Sequence, residues 1–353
     1  PGVILKYFLS IKFIEGCLMR PKVFITRELF DDVVHKISQY YEVEVWDRYQ
    51  ATPREVLLNK VKEVDALVSL LSDQIDCELL SSSPKLRIVA QLAVGFDNID
   101  LECATRLGIY VTNTPGVLTE ATAEFTWALI LATARRVVEG DIFVRFGEWW
   151  RLKTAWHPKM LLGTELRGKT LGIVGLGRIG KRVAEIGVKG FGMRVVYYDI
   201  RRDIETEREL DIEYRELENL FRESDVVSVH VPLTSETRGL VSEGLLKLMK
   251  KNAILINTSR GAVVDTKALI KALNEGWIAG AGLDVYEEEP LPPNHPLTAF
   301  KNVVLAPHAA SATYEARHGM AETVAENLIA FYEKRIPPNL VNKEVTKVRA
   351  PGF

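Results

Sequence analysis

The chain has 353 residues, of which 47% are hydrophobic and 26% charged, and its formal net charge is -2. That length suits about two domains, each with a core of its own, and the balance is that of a soluble globular protein rather than a disordered or membrane-embedded one. Without a basic surplus there is no electrostatic footprint for nucleic acid or an anionic membrane, so small molecules are the expected ligands.

The opening stretch, residues 1–18, is apolar but interrupted by Lys6, Lys12 and Glu15. It is too short and too charged to span a bilayer, and no small-residue cleavage site marks it as a secretory signal. Met19-Arg20-Pro21 leads directly into a strand-like run, so Met19 is read as the real start and residues 1–19 as an extension of doubtful significance. The cysteines, Cys17, Cys77 and Cys103, are too far apart for a CxxC pair and odd in number for a disulfide set. They are read as reduced thiols, which points to a cytoplasmic protein.

From Lys22 onward, β-rich runs at Val23 to Thr26, Val43 to Trp46, Ala66 to Leu70, Ile88 to Leu92 and Ile109 to Thr112 alternate with helical patterns. That alternation predicts a parallel α/β sheet. A helical stretch rich in Ala, Leu and Ile then runs from Glu120 to about Arg145 and reads as a connector. A second series has strands at Leu171 to Val174, Val195 to Asp199, Val226 to Val231, Ile254 to Asn257, Gly282 to Val285 and Val303 to Ala306. The last long helix, Thr313 to Lys334, is expected to return to the first domain. The fold class is therefore α/β, two doubly wound parallel sheets with one domain inserted into the other.

The run from Leu171 to Gly180 is a strand followed by Gly175-x-Gly177-x-x-Gly180 and a helix over Lys181 to Lys189. The first glycine permits a tight turn, the second lets the backbone approach a pyrophosphate, and the third allows close helix–strand packing above a helix N-terminus. Asp199, 19 residues past Gly180, lies where an acid accepts hydrogen bonds from a ribose 2′-hydroxyl and repels a 2′-phosphate. NAD is therefore expected over NADP, although Arg201 and Arg202 offer cations to a phosphate.

Three later segments end strands with polar residues, where doubly wound sheets hold their ligands. Arg260 leaves Ile254 to Asn257 into a glycine turn, and a guanidinium can clasp a carboxylate with two hydrogen bonds while polarising the neighbouring carbonyl. His308 follows Val303 to Ala306, and an imidazole is suited to giving a proton to a nascent alkoxide. Glu289, before Pro290, is the carboxylate expected to orient that imidazole and favour its charged form. No histidine has metal-ligand spacing with another His, Cys or acid in the sequence, so no metal is expected.

Together, Gly175 to Gly180, Asn257 to Gly261, Leu283 to Pro290 and Pro307-His308 resemble the D-isomer-specific 2-hydroxyacid dehydrogenases, over nearly everything from Lys22 to the C-terminus. Leu70-Leu-Ser-Asp, Ala155-Trp-His-Pro, Ala279 to Asp284 and Pro337 to Asn342 bring the likeness nearest to archaeal glyoxylate reductases. The resemblance implies a Rossmann domain over 119–308 inserted into a flavodoxin-like substrate domain made of 20–118 and 309–353. It implies that Arg260 binds the substrate carboxylate, that Glu289 supports His308, and that His308 is the acid/base. Backbone N–H groups near Val94 and Gly95, with Ser72 close by, are implied to hold the same carboxylate, and Asp284 to accept from the nicotinamide carboxamide. The remaining cofactor positions it implies are Arg178, Ile179, Ile200, Arg201, Val231 and Pro232, with Thr258, Ser259, Ala309 and Ala310 beside Arg260 and His308. Trp149, Trp150 and Trp156 fall in a region that forms a dimer arm in this family, so a homodimer is expected, with no nucleic-acid or membrane partner. The implied reaction is reduction of glyoxylate to glycolate. Hydroxypyruvate, D-lactate or 3-phosphoglycerate chemistry, or an NAD-sensing role without catalysis, stand as alternatives, while Glu289 argues against the formate dehydrogenases, which have Gln there.

Overall fold

The computed structural model describes Leu5–Lys6 and residues 20–353. Met19 as the starting residue, and Cys17, lie outside the described residues. The chain divides into two compact units, one made by the chain up to Leu118 and again from Thr313, the other by Thr119–Ala312.

In the first unit, β1 (Leu5–Lys6), β2 (Lys22–Ile25), β3 (Glu42–Val45), β4 (Ala66–Ser69), β5 (Ile88–Gln91) and β6 (Tyr110–Thr112) form one sheet in the order β1-β3-β2-β4-β5-β6. All pairings are parallel except β1 with β3. The parallel part is the flavodoxin-like order, and its direction reverses between β2 and β4, where such sheets bind ligands beyond the strand ends. β4 and β5 are buried along their whole length, as expected of strands covered on both faces. The segment after the helix Tyr314–Tyr332 is tied along β6: Asn342 Oδ1 accepts from Val111 N–H at 2.9 Å and its Nδ2 donates to Ile109 O at 2.9 Å.

The second unit holds β7 (Thr170–Val174), β8 (Arg194–Tyr198), β9 (Glu213–Tyr214), β10 (Val226–Val229), β11 (Ile254–Asn257), β12 (Gly280–Leu283) and β13 (Val303–Leu305). Their order, β13-β12-β11-β10-β7-β8-β9, is parallel throughout and is the Rossmann order, with its reversal between β7 and β10. The helix Thr119–Ala134 packs on this sheet through Ala123, Trp127 and Ile130. Trp127 stacks on Phe191 at 4.3 Å and donates its indole N–H to Val183 O at 3.1 Å, so both its apolar body and its polar handle are satisfied.

Two expectations need correction, for the connector helix and the cysteines, and two further features escaped the sequence reading. The connector helix is broken: it stops at Ala134, and a second helix, Val137–Arg145, begins after Arg136, whose φ of 54° is left-handed. A bidentate grip of the Arg136 guanidinium on Glu139, at 2.7 and 2.8 Å, holds that turn, a contact invisible to periodicity. The two-residue strand β9 was too short to register as a pattern. Cys77 and Cys103 are joined by a disulfide that ties the helix Cys77–Ser81 to Leu101–Arg106, although 26 residues separate them in sequence. Finally, His318 is not solitary: its Nε2 lies 2.8 Å from Asp32 Oδ2, brought there by packing of Asp31–Ser38 on the helix Tyr314–Tyr332. Glu322 completes that cluster but is already paired with Lys36 at 2.5 Å.

Candidate active site

The glycine turn adopts the geometry its three glycines allow. Gly175 has φ of 96°, and a Cβ on Gly180 would stand 2.1 Å from Gly175 O, so any side chain there would drive the helix Arg178–Phe191 off β7. Around Gly177 a Cβ would meet nothing within 4 Å, which leaves the backbone open to approach by a pyrophosphate. Arg178 opens the helix on the exposed side, and Ile179 packs inward on the core. Val231 lies against Gly175, and Pro232 O accepts from Thr237 Oγ at 2.6 Å. These donors and this cradle fit a dinucleotide.

At the end of β8, Asp199 Oδ2 accepts from Leu176 N–H at 2.7 Å, which fixes the acid beside the glycine turn. Ile200, Arg201 and Arg202 are all exposed, and Arg202 is engaged by Glu207 through two contacts of 2.8 Å.

The catalytic candidates sit past three neighbouring strands. Because β11, β12 and β13 are parallel and in register, with Asn257 opposite Leu283 and Leu283 opposite Leu305, their carboxyl ends deliver Arg260, Asp284 and His308 to one edge of the sheet. Arg260 is held by its own backbone: Asn257 Nδ2 donates to Arg260 O at 2.9 Å, while Asn257 Oδ1 accepts from Ser259 N–H and Oγ–H at 3.0 and 2.9 Å. Thr258 is buried, its hydroxyl 2.9 Å from that of Thr126. Gly261 permits the next approach, since a Cβ there would lie 1.8 Å from the Tyr286 carbonyl carbon. The turn after Arg260 thus lies directly on the loop that carries Glu289.

His308 Nδ1 lies 2.7 Å from Glu289 Oε2, with the two side chains 30% and 35% exposed. Facing a carboxylate, Nδ1 carries the proton and donates, which leaves Nε2 as the free working nitrogen. Glu289 Oε1 in turn accepts from Tyr286 N–H at 2.9 Å. Partial burial pushes the Glu289 carboxyl up, but the hydrogen bond and charge of His308, the Tyr286 N–H and the charge of Arg260 outweigh it, and the group lies below the ordinary glutamate range.

The backbone of His308 is left-handed, φ 53°, an uncommon conformation for a residue with a Cβ. Asp284 holds the chain there. Its carbonyl accepts His308 N–H at 2.8 Å, and its buried carboxylate accepts Ala309 N–H at 2.7 Å and Ala310 N–H at 2.8 Å. Burial raises the Asp284 carboxyl against those two N–H groups. These bonds also keep Ala309 to Ala312 with the second unit, so the chain returns to the first at Thr313 rather than at 309. Sequence reasoning missed Asn257 and the Tyr286 N–H as supports; Asn257 stands inside the quoted motif, but nothing in sequence says which groups its amide reaches.

In the first unit, Ser72 is exposed beyond β4, and Val94 and Gly95 are half-buried beyond β5.

A family model described as "D-isomer specific 2-hydroxyacid dehydrogenase, NAD binding domain" matches residues 127–310. A glyoxylate reductase of Aeropyrum pernix is 70% identical over 336 residues, covering 95% of this chain and all of its own. The glyoxylate reductase of Thermococcus kodakarensis is 62% identical over 335 residues with the same coverage. Among solved structures, the TT0316 protein of Thermus thermophilus superposes with a TM-score of 0.84 at 48% identity, covering 91% of this chain and 99% of its own. An NADPH-dependent glyoxylate/hydroxypyruvate reductase of Sinorhizobium meliloti, in complex with NADP and malonate, reaches 0.80 at 32% identity, covering 92% and 98%. The chain belongs to the D-isomer-specific 2-hydroxyacid dehydrogenase family and carries its NAD-binding domain.

Proposed function

We propose that the protein reduces glyoxylate to glycolate with NADH as donor, His308 acting as the general acid. The observation that carries this reading is the Glu289–His308 pair at the carboxyl edge of the Rossmann sheet, one strand-end turn from Arg260, together with relatives of 60–70% identity named glyoxylate reductase. The bound dinucleotide would supply the hydride to the substrate's C2. Arg260 grips the carboxylate and draws electron density from the adjacent carbonyl. Nε2 of His308 donates its proton to the carbonyl oxygen as that oxygen gains charge, while Glu289 keeps the ring oriented. Ser72 and the N–H groups of Val94 and Gly95 are read as further holders of the carboxylate, Asp284 as acceptor for the nicotinamide carboxamide, and Ile200, Val231, Pro232, Thr258, Ser259, Ala309 and Ala310 as cofactor lining. Asp199 beside the glycine turn, with Arg202 already neutralised by Glu207, favours NADH over NADPH.

We read the protein as a homodimer; the Cys77–Cys103 bond removes the reduced thiols on which a cytoplasmic setting was expected. Support comes from the apolar side chains exposed along 137–156, among them Ile142, Phe146, Trp150 and Trp156. A cavity of about 520 Å³ lined by Arg136, Val138, Leu162, Asn252 and Lys301 adjoins them and could receive side chains of a second copy. Among the described residues no helix is long and apolar enough to cross a membrane.

The test is oxidation of NADH and NADPH against glyoxylate, hydroxypyruvate, pyruvate and phosphohydroxypyruvate. The highest kcat/KM is expected for glyoxylate with NADH; a higher value for another keto acid would reassign the substrate, and no turnover with any would remove the enzymatic reading. Light scattering at micromolar concentration should give twice the chain mass.

A further inference from the structure

The loop after β5 has a feature unexplained by packing. Its four consecutive carbonyls are all held by the body of the first unit: Ala93 O by Thr114 N–H at 2.9 Å, Val94 O by Asn113 Nδ2 at 2.8 Å, Gly95 O by Gln91 Nε2 at 3.4 Å and Phe96 O by Ile99 N–H at 3.0 Å. In a trans peptide the C=O and the following N–H point in opposite directions. Holding the Ala93 and Val94 carbonyls therefore turns the N–H groups of Val94 and Gly95 the other way, and among the described residues of this unit neither finds an acceptor.

The amide side chains are themselves oriented without ambiguity. Ser69 Oγ donates to Gln91 Oε1 at 2.7 Å, so the Gln91 amide nitrogen faces Asn98 Oδ1 at 2.8 Å, and Asn98 Nδ2 donates to Leu70 O and Asp73 O at 3.0 and 2.7 Å. Gln91 is fully buried, where an amide lacking these partners would be costly. On the facing loop, Arg27 Nη2 lies 3.1 Å from Ser72 Oγ. A guanidinium can only donate, so the Ser72 oxygen accepts from it and the hydroxyl hydrogen is left to point elsewhere. The N–H groups of Val94 and Gly95 and the hydroxyl hydrogen of Ser72 are thus donors left to meet a ligand.

We propose that Asn113 and Gln91 are positioning residues for substrate, aiming the N–H groups of Val94 and Gly95 at its carboxylate, and that Arg27 does the same for the Ser72 hydroxyl. This rests on the reading of Val94, Gly95 and Ser72 as carboxylate holders. It adds a division of labour: residues that never touch substrate set KM, while the chemistry at His308 sets kcat.

The experiment uses the full-length enzyme with saturating NADH. Asn113→Ala keeps the backbone of residue 113, whose N–H and carbonyl make their own bonds, and removes only the grip on Val94 O. The KM for glyoxylate and the inhibition constant of oxalate should both rise about tenfold, as loss of one charge-assisted contact predicts. The kcat should stay within about threefold, with NADH affinity by fluorescence and melting temperature unchanged. Arg27→Lys, which keeps a cation beside the buried Asp73 but loses the fork that also reaches Ser72, provides an independent repeat of the same split. An unchanged KM, or kcat and NADH affinity falling in step with melting temperature, overturns the inference. Gly95→Pro, which deletes the N–H itself, separates the two failures. If it leaves KM alone, the carboxylate-holding reading is wrong; if it raises KM while Asn113→Ala does not, only the positioning role is.

Discussion

The strand ends of the two units do related work with opposite chemistry. In the second unit the candidate groups are side chains, Arg260, Glu289 and His308, each carried on a recognisable local motif, with the Asn257 amide, the Tyr286 N–H and the Asp284 carboxylate steadying the turns and loop that bear them. In the first unit the proposed ligand groups are backbone N–H, and side chains such as Asn113 and Gln91 do the steadying. Side-chain chemistry demands particular residue types, so it leaves a mark in sequence. A backbone amide belongs to every residue, and only a fold shows which amides are turned outward.

Substitutions should divide along the same line, large effects on rate from the second unit and on KM from the first. After loss of the general acid itself, the largest effect is expected for Arg260→Lys. The lysine retains charge but loses the planar fork, and kcat/KM for glyoxylate should fall by about a hundredfold or more in steady-state assays. A loss below threefold would show that a point charge suffices and would weaken the contrast. Asp199→Ala acts at the cofactor end of the same unit. It should shift the NADH to NADPH preference by about tenfold, a contact of roughly 1.4 kcal/mol, and an unchanged ratio would assign discrimination to other residues.

A smaller effect concerns stability. The Glu289 carboxyl is depressed in the folded protein, so its pairing stabilises the fold fully above the ordinary glutamate value of 4.5 and loses that effect as pH falls below it. The melting gap between wild type and Glu289→Gln should therefore be a few degrees at neutral pH and should shrink in acid. A gap that widens in acid would reverse the sign of the linkage and contradict the observed pairing.

Much of this was legible before any coordinates. The alternation of β-rich and helical runs located eleven of the twelve strands that follow β1 because buried parallel strands are continuous apolar runs, and the glycine spacing described a turn whose φ and packing distances follow from it. What escaped depends on specific side-chain contacts that no period reveals, one local, the Arg136 grip on Glu139 at a helix break, and three between residues far apart in sequence, the Cys77–Cys103 bond, the Asp32–His318 pair and the Asp284 hold on the turn after His308. A short strand such as β9 carries too few residues to establish any period.

If His308 and Glu289 act as one unit, a double-mutant cycle will show it. With NADH saturating, kcat should be measured for His308→Ala, Glu289→Gln and the double variant. Loss of the general acid should cost about 10²- to 10⁴-fold, and the double variant should be no slower than His308→Ala alone, because Glu289 works only through the imidazole. Losses that multiply would mean that the two residues contribute independently, and the pairing seen at 2.7 Å would not be the catalytic arrangement.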